Sequence, residues 1–205
     1  MYRGERFNGY SHLIGMILSF FGAFYLVTYA INQGDTWKIV GFSVYGAMLV
    51  LLYSVSTIYH STKGRVKDIF RQLDYISIYL MIAGTYTPFT LITLRGPWGW
   101  TLFGIIWALA LIGILQEIYV GKKTRRYSLI IYPLMGWIIV IAIKPLIEKL
   151  SPAGMWWLAA GGLSYTGGIV FFLLDEKIKH FHGVWHLCVI SGSACQFVCL
   201  AYFVA

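Results

Sequence analysis

Long apolar blocks separated by short polar gaps run through the whole chain. Seven of them are long enough to cross a hydrocarbon layer of about 30 Å as helices that rise about 1.5 Å per residue. We place these blocks at about residues 10–31, 37–60, 72–94, 98–120, 127–147, 153–175 and 182–204. The gaps contain the glycines, prolines and charges typical of loops. The pattern predicts one all-α domain over residues 1–205, an integral membrane bundle of seven transmembrane helices.

The composition agrees with a membrane protein. Charged residues make up 12% of the chain and hydrophobic residues 59%, whereas an average globular protein has about 25% charged residues. The net charge of +8 is typical of some nucleic-acid-binding proteins, but here the basic residues fall in the gaps between apolar blocks, as in membrane loops. We therefore expect membrane lipids as partners, one of them a candidate substrate, and no nucleic acid. The oligomeric state stays open.

The basic residues also predict the orientation. Of the 16 lysines and arginines, twelve fall on the side of the N-terminus and four on the other. The twelve are Arg3, Arg6, Lys63, Arg65, Lys67, Arg71, Lys122, Lys123, Arg125, Arg126, Lys177 and Lys179, and the four are Lys38, Arg95, Lys144 and Lys149. Because Lys and Arg are enriched in cytoplasmic loops, we expect the N-terminus in the cytoplasm and the C-terminus outside.

Five polar residues gather at one end of three of these apolar spans. Ser56 and His60 end the second span, Asp74 begins the third, and His182 and His186 begin the seventh. With the predicted orientation, all five lie near the cytoplasmic face. Ionisable groups at membrane depth are costly and usually mark a functional site.

A metal explains this set of residue types. Two histidines at positions i and i+4 can hold one ion from a single helix, and a third His leaves a fourth zinc position open for water. Zinc lowers the pKa of such a water towards 7. Asp74 would then hold or deprotonate that water, and Ser56 would orient it or a substrate oxygen.

Each residue also has a simpler explanation. A single His near a helix end is typically interfacial or hydrogen-bonded, and Asp74 can face water beside Arg71. His12 and His180 are expected to be interfacial, and Pro88 is expected to kink the third span. Spacing alone therefore leaves the metal site open.

Several motifs together resemble a known family. Residues 56–60 (STIYH), 73–75 (LDY), 83–89 (AGTYTPF) and 182–187 (HGVWHL) are similar to motifs of the bacterial hemolysin III group, within the progestin and adiponectin receptor (PAQR) superfamily. The resemblance covers essentially the whole chain. It implies seven spans, an N-terminus inside the cell, and a location in the bacterial cell membrane.

The resemblance also implies roles for the site. It implies that the matching histidines, His60, His182 and His186, bind zinc. It further implies that Asp74 contacts the zinc-bound water and that Ser56 belongs to the same site. Many relatives carry a further His where this chain has Gln196, and that position is not a zinc ligand.

Three functions follow as hypotheses. Because the wider relatives include alkaline ceramidases, the resemblance favours a zinc-dependent hydrolase that acts on a lipid amide or ester at the cytoplasmic leaflet. The first alternative is a receptor-like or membrane-homeostasis protein that is not an enzyme and has a structural zinc. The second is a cytolytic pore, as the family name suggests. The sequence disfavours a pore because it has no repeated ring of charge.

Overall fold

The fold is an all-helical bundle in a computed structural model that describes residue 1, residues 3–121 and residues 126–205. Its α-helices in the described ranges are α1 Arg6–Gln33, α2 Thr36–Ser61, α3 Gly64–Pro88, α4 Pro97–Gln116, α5 Arg126–Trp137, α6 Ile143–Lys149, α7 Pro152–Leu173 and α8 Phe181–Cys199. Short π-helical or 3₁₀ segments extend or join several of them.

Seven helical segments in these ranges are long and apolar enough to cross a membrane. They are Arg6–Gln33, Thr36–Ser61, Gly64–Thr93, Pro97–Gly121, Tyr127–Lys149, Pro152–Leu173 and Phe181–Val204. Each corresponds to one apolar block, so the predicted seven-helix bundle is confirmed. The third span differs most from its prediction, because its helix starts at Gly64, well before the apolar block. Asp74 therefore lies inside α3 and not at its start.

Local sequence signals fix several helix ends. The Asp35 carboxylate caps α2 by accepting hydrogen bonds from the backbone N–H groups of Trp37 and Lys38, at 2.9 and 3.2 Å. Ser151 caps α7 in the same way by accepting from the Gly154 N–H. Such caps satisfy backbone donors that a helix start leaves without partners. Gly34 ends α1 at a φ of 67°, a left-handed conformation that favours glycine.

The order of packing brings the last helix back to the first. Consecutive helices α1, α2, α3 and α4 pack side by side, and α7 packs along α8. Helix α8 also packs against α1, while α5 contacts α3, α4 and α7. The Ser193 hydroxyl connects α8 to two other helices. It lies 2.8 Å from the Tyr53 hydroxyl of α2 and 2.9 Å from the Tyr165 hydroxyl of α7. These bonds hold α8 against α2, and thereby set His186 close to His60.

Four spans depart from regular α-helix in the described residues, and the fourth and seventh do so only in a last π-helical turn, Glu117–Gly121 and Leu200–Val204. The third continues past Pro88 as a π-helical turn, Phe89–Thr93, so the proline marks a change of helix type. The fifth is interrupted by a 3₁₀ segment, Ile138–Ala142. At this break the Tyr86 hydroxyl donates to the Gly136 carbonyl at 2.9 Å and accepts from the Ile139 N–H at 3.0 Å. Polar backbone at membrane depth needs such partners because lipid offers none.

Candidate metal centre

Three histidines from two helices form a compact group. His60 lies at the C-terminal end of α2, and His182 and His186 lie in the first turns of α8. One ring nitrogen from each comes within 4.8 Å of the others. His60 and His186 are buried, at 1% and 2% exposure, and His182 is half-buried. The structure thus brings together the three histidines that the sequence singled out as metal ligands.

The Nδ1 atom of each histidine lies close to a polar side chain from another part of the chain. The His60 Nδ1 donates to Glu5 Oε2 at 2.7 Å, and the His182 Nδ1 donates to Asp175 Oδ2 at 2.6 Å. The His186 Nδ1 lies 3.4 Å from the Ser11 hydroxyl. In metal sites a ligating histidine usually makes such a bond with its other ring nitrogen.

The second ring nitrogen of His60, Nε2, indicates whether a metal ion fits this group. The Nε2 of His60 is buried and has no hydrogen-bond partner in the part of the chain that the structure describes. A buried polar atom without a partner costs free energy. A bound ion at the three histidines would remove this cost, and three neutral imidazoles are a typical zinc donor set. The three histidines therefore fit a metal ion. Zinc is the candidate ion because of the type of its donor atoms.

Glu5 carries a fixed negative charge beside this group. Burial raises the pKa of its carboxyl, but the hydrogen bonds from His60 and Lys67 lower it more, so the pKa lies well below its usual range. Its Oε1 lies 2.6 Å from the Lys67 Nζ, and Asn8 donates to its Oε2 at 3.1 Å. The carboxylate is therefore ionised and held by several donors.

Ser56 and His12 form a second pair next to the histidine group. The Ser56 hydroxyl lies 2.7 Å from the His12 Nδ1, and both side chains are buried. The expectation that His12 is interfacial is wrong, because it lies inside the bundle at 4% exposure. His180 is exposed. The signal for His12 was its spacing: it shares a buried face of α1 with Gly15 and Ser19, residues too small or polar to favour lipid.

Asp74 is not part of the group that the three histidines form. Within the described residues, the group of His, Cys, Asp or Glu side chains whose ligand atoms all lie within 4.8 Å of one another consists of these three histidines. The Asp74 side chain is half-buried and lines a cavity that His182 and His186 also line. The predicted role of Asp74, contact with a metal-bound water, stays a prediction.

The cavity extends from this polar end into an apolar interior. Its volume is about 230 Å³. Ser56 and His12 line it beside His182 and His186, while most of its other walls are apolar side chains of α3, of α7 and of the broken fifth span. This shape suits a molecule with one polar end and a long apolar part.

Comparisons with known proteins identify the family. The profile of the family described as Haemolysin-III related matches residues 1–197. Hemolysin-3 of Bacillus cereus is 46% identical over 198 residues, which are 96% of this chain and 90% of that protein. The Hemolysin-3 homolog of Bacillus subtilis (strain 168) is 42% identical over 197 residues, 96% of this chain and 92% of that protein.

A more distant relative comes from the PAQR family, as the motifs suggested. The human Monocyte to macrophage differentiation factor is 29% identical over 169 residues, which cover 80% of this chain and 70% of that protein. The bacterial relatives and the seven spans together show a multi-pass protein of the cell membrane. The chain belongs to the Haemolysin-III related family.

Proposed function

We propose that this protein is a zinc-dependent hydrolase that cleaves a lipid amide or ester at the cytoplasmic leaflet. One observation supports this most: two of the three grouped histidines, His182 and His186, line the polar end of an apolar cavity that Asp74 and Ser56 also line. A structural zinc site is usually closed by four protein ligands, whereas a catalytic site keeps one position open. A group of three histidines, two of which face a cavity, fits the catalytic pattern.

His60, His182 and His186 would hold the zinc. Bound there, zinc supplies a water of lowered pKa as a nucleophile at neutral pH. The apolar walls of the cavity would hold the acyl chain and exclude bulk water, which places the carbonyl near the polar end.

The chain's own polar residues would move and hold protons. In hydrolysis the oxygen of water bonds to the acyl carbon, the bond from that carbon to nitrogen or oxygen breaks, and a proton passes to the leaving atom. Asp74 would take the proton from the water and deliver it to the leaving group. Ser56, with its hydroxyl held by His12, would orient the oxygen of the attacked carbonyl group.

The test combines metal analysis with lipid hydrolysis on the purified chain in lipid nanodiscs. We expect about one zinc per chain, with loss of zinc in His182→Ala and His186→Ala. Asp74→Asn should keep the zinc and abolish release of fatty acid from a panel of ceramides and glycerolipid esters. Asp68→Asn is the matched control, because Asp68 is an exposed carboxylate of the same helix and pairs with Arg71; it should keep full release.

The alternative of a structural zinc has a distinct outcome. If the zinc-loaded wild type releases fatty acid from no lipid of the panel, the ion only joins α2 to α8, and the hydrolase proposal fails. If the wild type binds no zinc, the metal centre itself is disproved.

A further inference from the structure

We propose that Glu5 and Asp175 are positioning residues of the metal centre. Each carboxylate holds one ligand imidazole with its Nδ1 protonated, so that Nε2 is the nitrogen available to the ion. The inference rests on the proposed metal site and adds two residues that no ligand motif contains. Neither lies on the helices that carry the ligands.

Glu5 reaches the site from the turn that precedes α1. It ends a short 3₁₀ segment, Arg3–Glu5, and its Oε2 lies 2.7 Å from the Nδ1 of His60. Because Lys67 and Asn8 also bind this carboxylate, it has little freedom to rotate. The hydrogen bond therefore fixes the orientation of the His60 ring and its tautomer.

Asp175 reaches the site from the turn between α7 and α8. Its Oδ2 lies 2.6 Å from the Nδ1 of His182, and its side chain is 17% exposed. The same turn contains His180 in a left-handed conformation with a φ of 73°. This conformation costs a residue with a Cβ about 1 kcal/mol. The turn thus keeps an unfavourable backbone conformation at His180, and it places Asp175 next to His182.

The bond between Glu5 and His60 differs from an ordinary ion pair in the state of the other ring nitrogen. A His–carboxylate pair that served only packing would have no reason to bury its second nitrogen without a partner, yet the Nε2 of His60 is in that state. A carboxylate on Nδ1 also makes Nε2 more basic, which strengthens a bond to a metal. The two negative charges further offset those of a divalent ion in a site of low dielectric constant.

The arrangement makes the N-terminal turn and the turn before α8 part of the metal centre. Substitution in either turn is expected to weaken metal binding although no ligand is removed. Partners of this kind typically contribute about 10- to 100-fold to metal affinity.

The experiment compares the zinc affinity of Glu5→Gln and Asp175→Asn with that of the wild type, using full-length protein in nanodiscs and a chromophoric chelator as competitor. Both variants keep the size of the side chain and remove its charge. We expect each to bind zinc about 10- to 100-fold more weakly. The absorption spectrum of the Co²⁺-substituted protein, which reports ligand geometry, should change in both.

Two control variants separate positioning from simple stability. Asp68→Asn removes an exposed carboxylate that pairs with Arg71, and Glu176→Gln removes the exposed carboxylate next to Asp175 in the same turn. Both should keep the zinc affinity of the wild type within about threefold, because exposed charges interact only weakly through water. Thermal unfolding of every variant is measured in parallel.

The outcomes are distinct. If the wild type binds zinc, and Glu5→Gln and Asp175→Asn bind it equally well with an unchanged Co²⁺ spectrum, the inference is overturned even where thermal stability falls. If Glu5→Gln does not fold, Asp175→Asn and Glu5→Asp decide by the same two measurements. If the wild type binds no zinc, the proposed function fails and the inference fails with it.

Discussion

The imidazole of His12 stacks on that of His186, with 3.7 Å between the ring centroids and 26° between the planes. A fourth histidine therefore lies at the candidate metal centre, on the first helix of the bundle. Its Nδ1 lies close to the Ser56 hydroxyl, and its Nε2 is buried without a partner in the described residues. His12 thus contacts both His186, a candidate metal ligand, and the hydroxyl of Ser56, which is predicted to assist the reaction.

We expect His12 to support Ser56 and not to bind the metal. His12→Phe keeps a ring to stack on His186 but loses the bond to Ser56, so the zinc content and the Co²⁺ spectrum should stay those of the wild type. Lipid hydrolysis should fall about tenfold, a change that corresponds to about 1.4 kcal/mol of activation free energy.

A double-substitution cycle checks that the two residues act together. Ser56→Ala should slow hydrolysis about as much as His12→Phe, and the double variant should be hardly slower than either single variant, since coupled residues are not additive. Loss of zinc in His12→Phe would instead identify His12 as a ligand and contradict this prediction.

The orientation of the bundle is a prediction from the positions of the basic residues and from the family resemblance. A fusion of alkaline phosphatase to the C-terminus should be active, because this enzyme folds outside the cytoplasm, whereas a fluorescent protein at the same position should be dark. Fusions within the loop that contains Lys63 should give the reverse. An active phosphatase in that loop would place the metal centre at the outer face and exclude hydrolysis at the cytoplasmic leaflet.

The sequence predicted the seven spans well and the site only in part. Apolar blocks define spans because lipid contact requires them, and the family motifs pointed to the three histidines that lie close together in the structure. Glu5 and Asp175 could not be found in this way, since both lie in turns whose positions depend on tertiary packing. His12 was misread because a polar residue early in a span looks interfacial until the packing of α1 against α2 and α8 is known.

Close packing at the N-terminal end of α4 leads to a prediction about stability. A Cβ on Gly99 would overlap the carbonyl oxygens of Thr90 and Leu94, which are backbone atoms with little room to move. Gly99→Ala should therefore lower the free energy of unfolding by about 1 to 3 kcal/mol, as overpacking usually does. Gly104→Ala on the same helix is the control, because nothing lies within 4 Å of its added carbon. A thermal midpoint for Gly99→Ala equal to that of the control would contradict the packing described here.

The apolar cavity makes a prediction about substrate length. Gly162 lines the cavity on α7, and the nearest atoms to a Cβ there belong to Trp137 at 3.8 Å, which is ordinary van der Waals contact. A larger side chain at this position is therefore expected to occupy part of the cavity. Gly162→Leu should reduce hydrolysis of long acyl chains about tenfold more than that of short ones, because it shortens the space for the chain and leaves the polar end unchanged.

Gly167→Leu is the matched control: Gly167 lies on the same helix, outside the cavity and exposed. Zinc content should stay unchanged in both variants. Equal loss of activity on long and short chains in Gly162→Leu would show that the cavity does not hold the acyl chain.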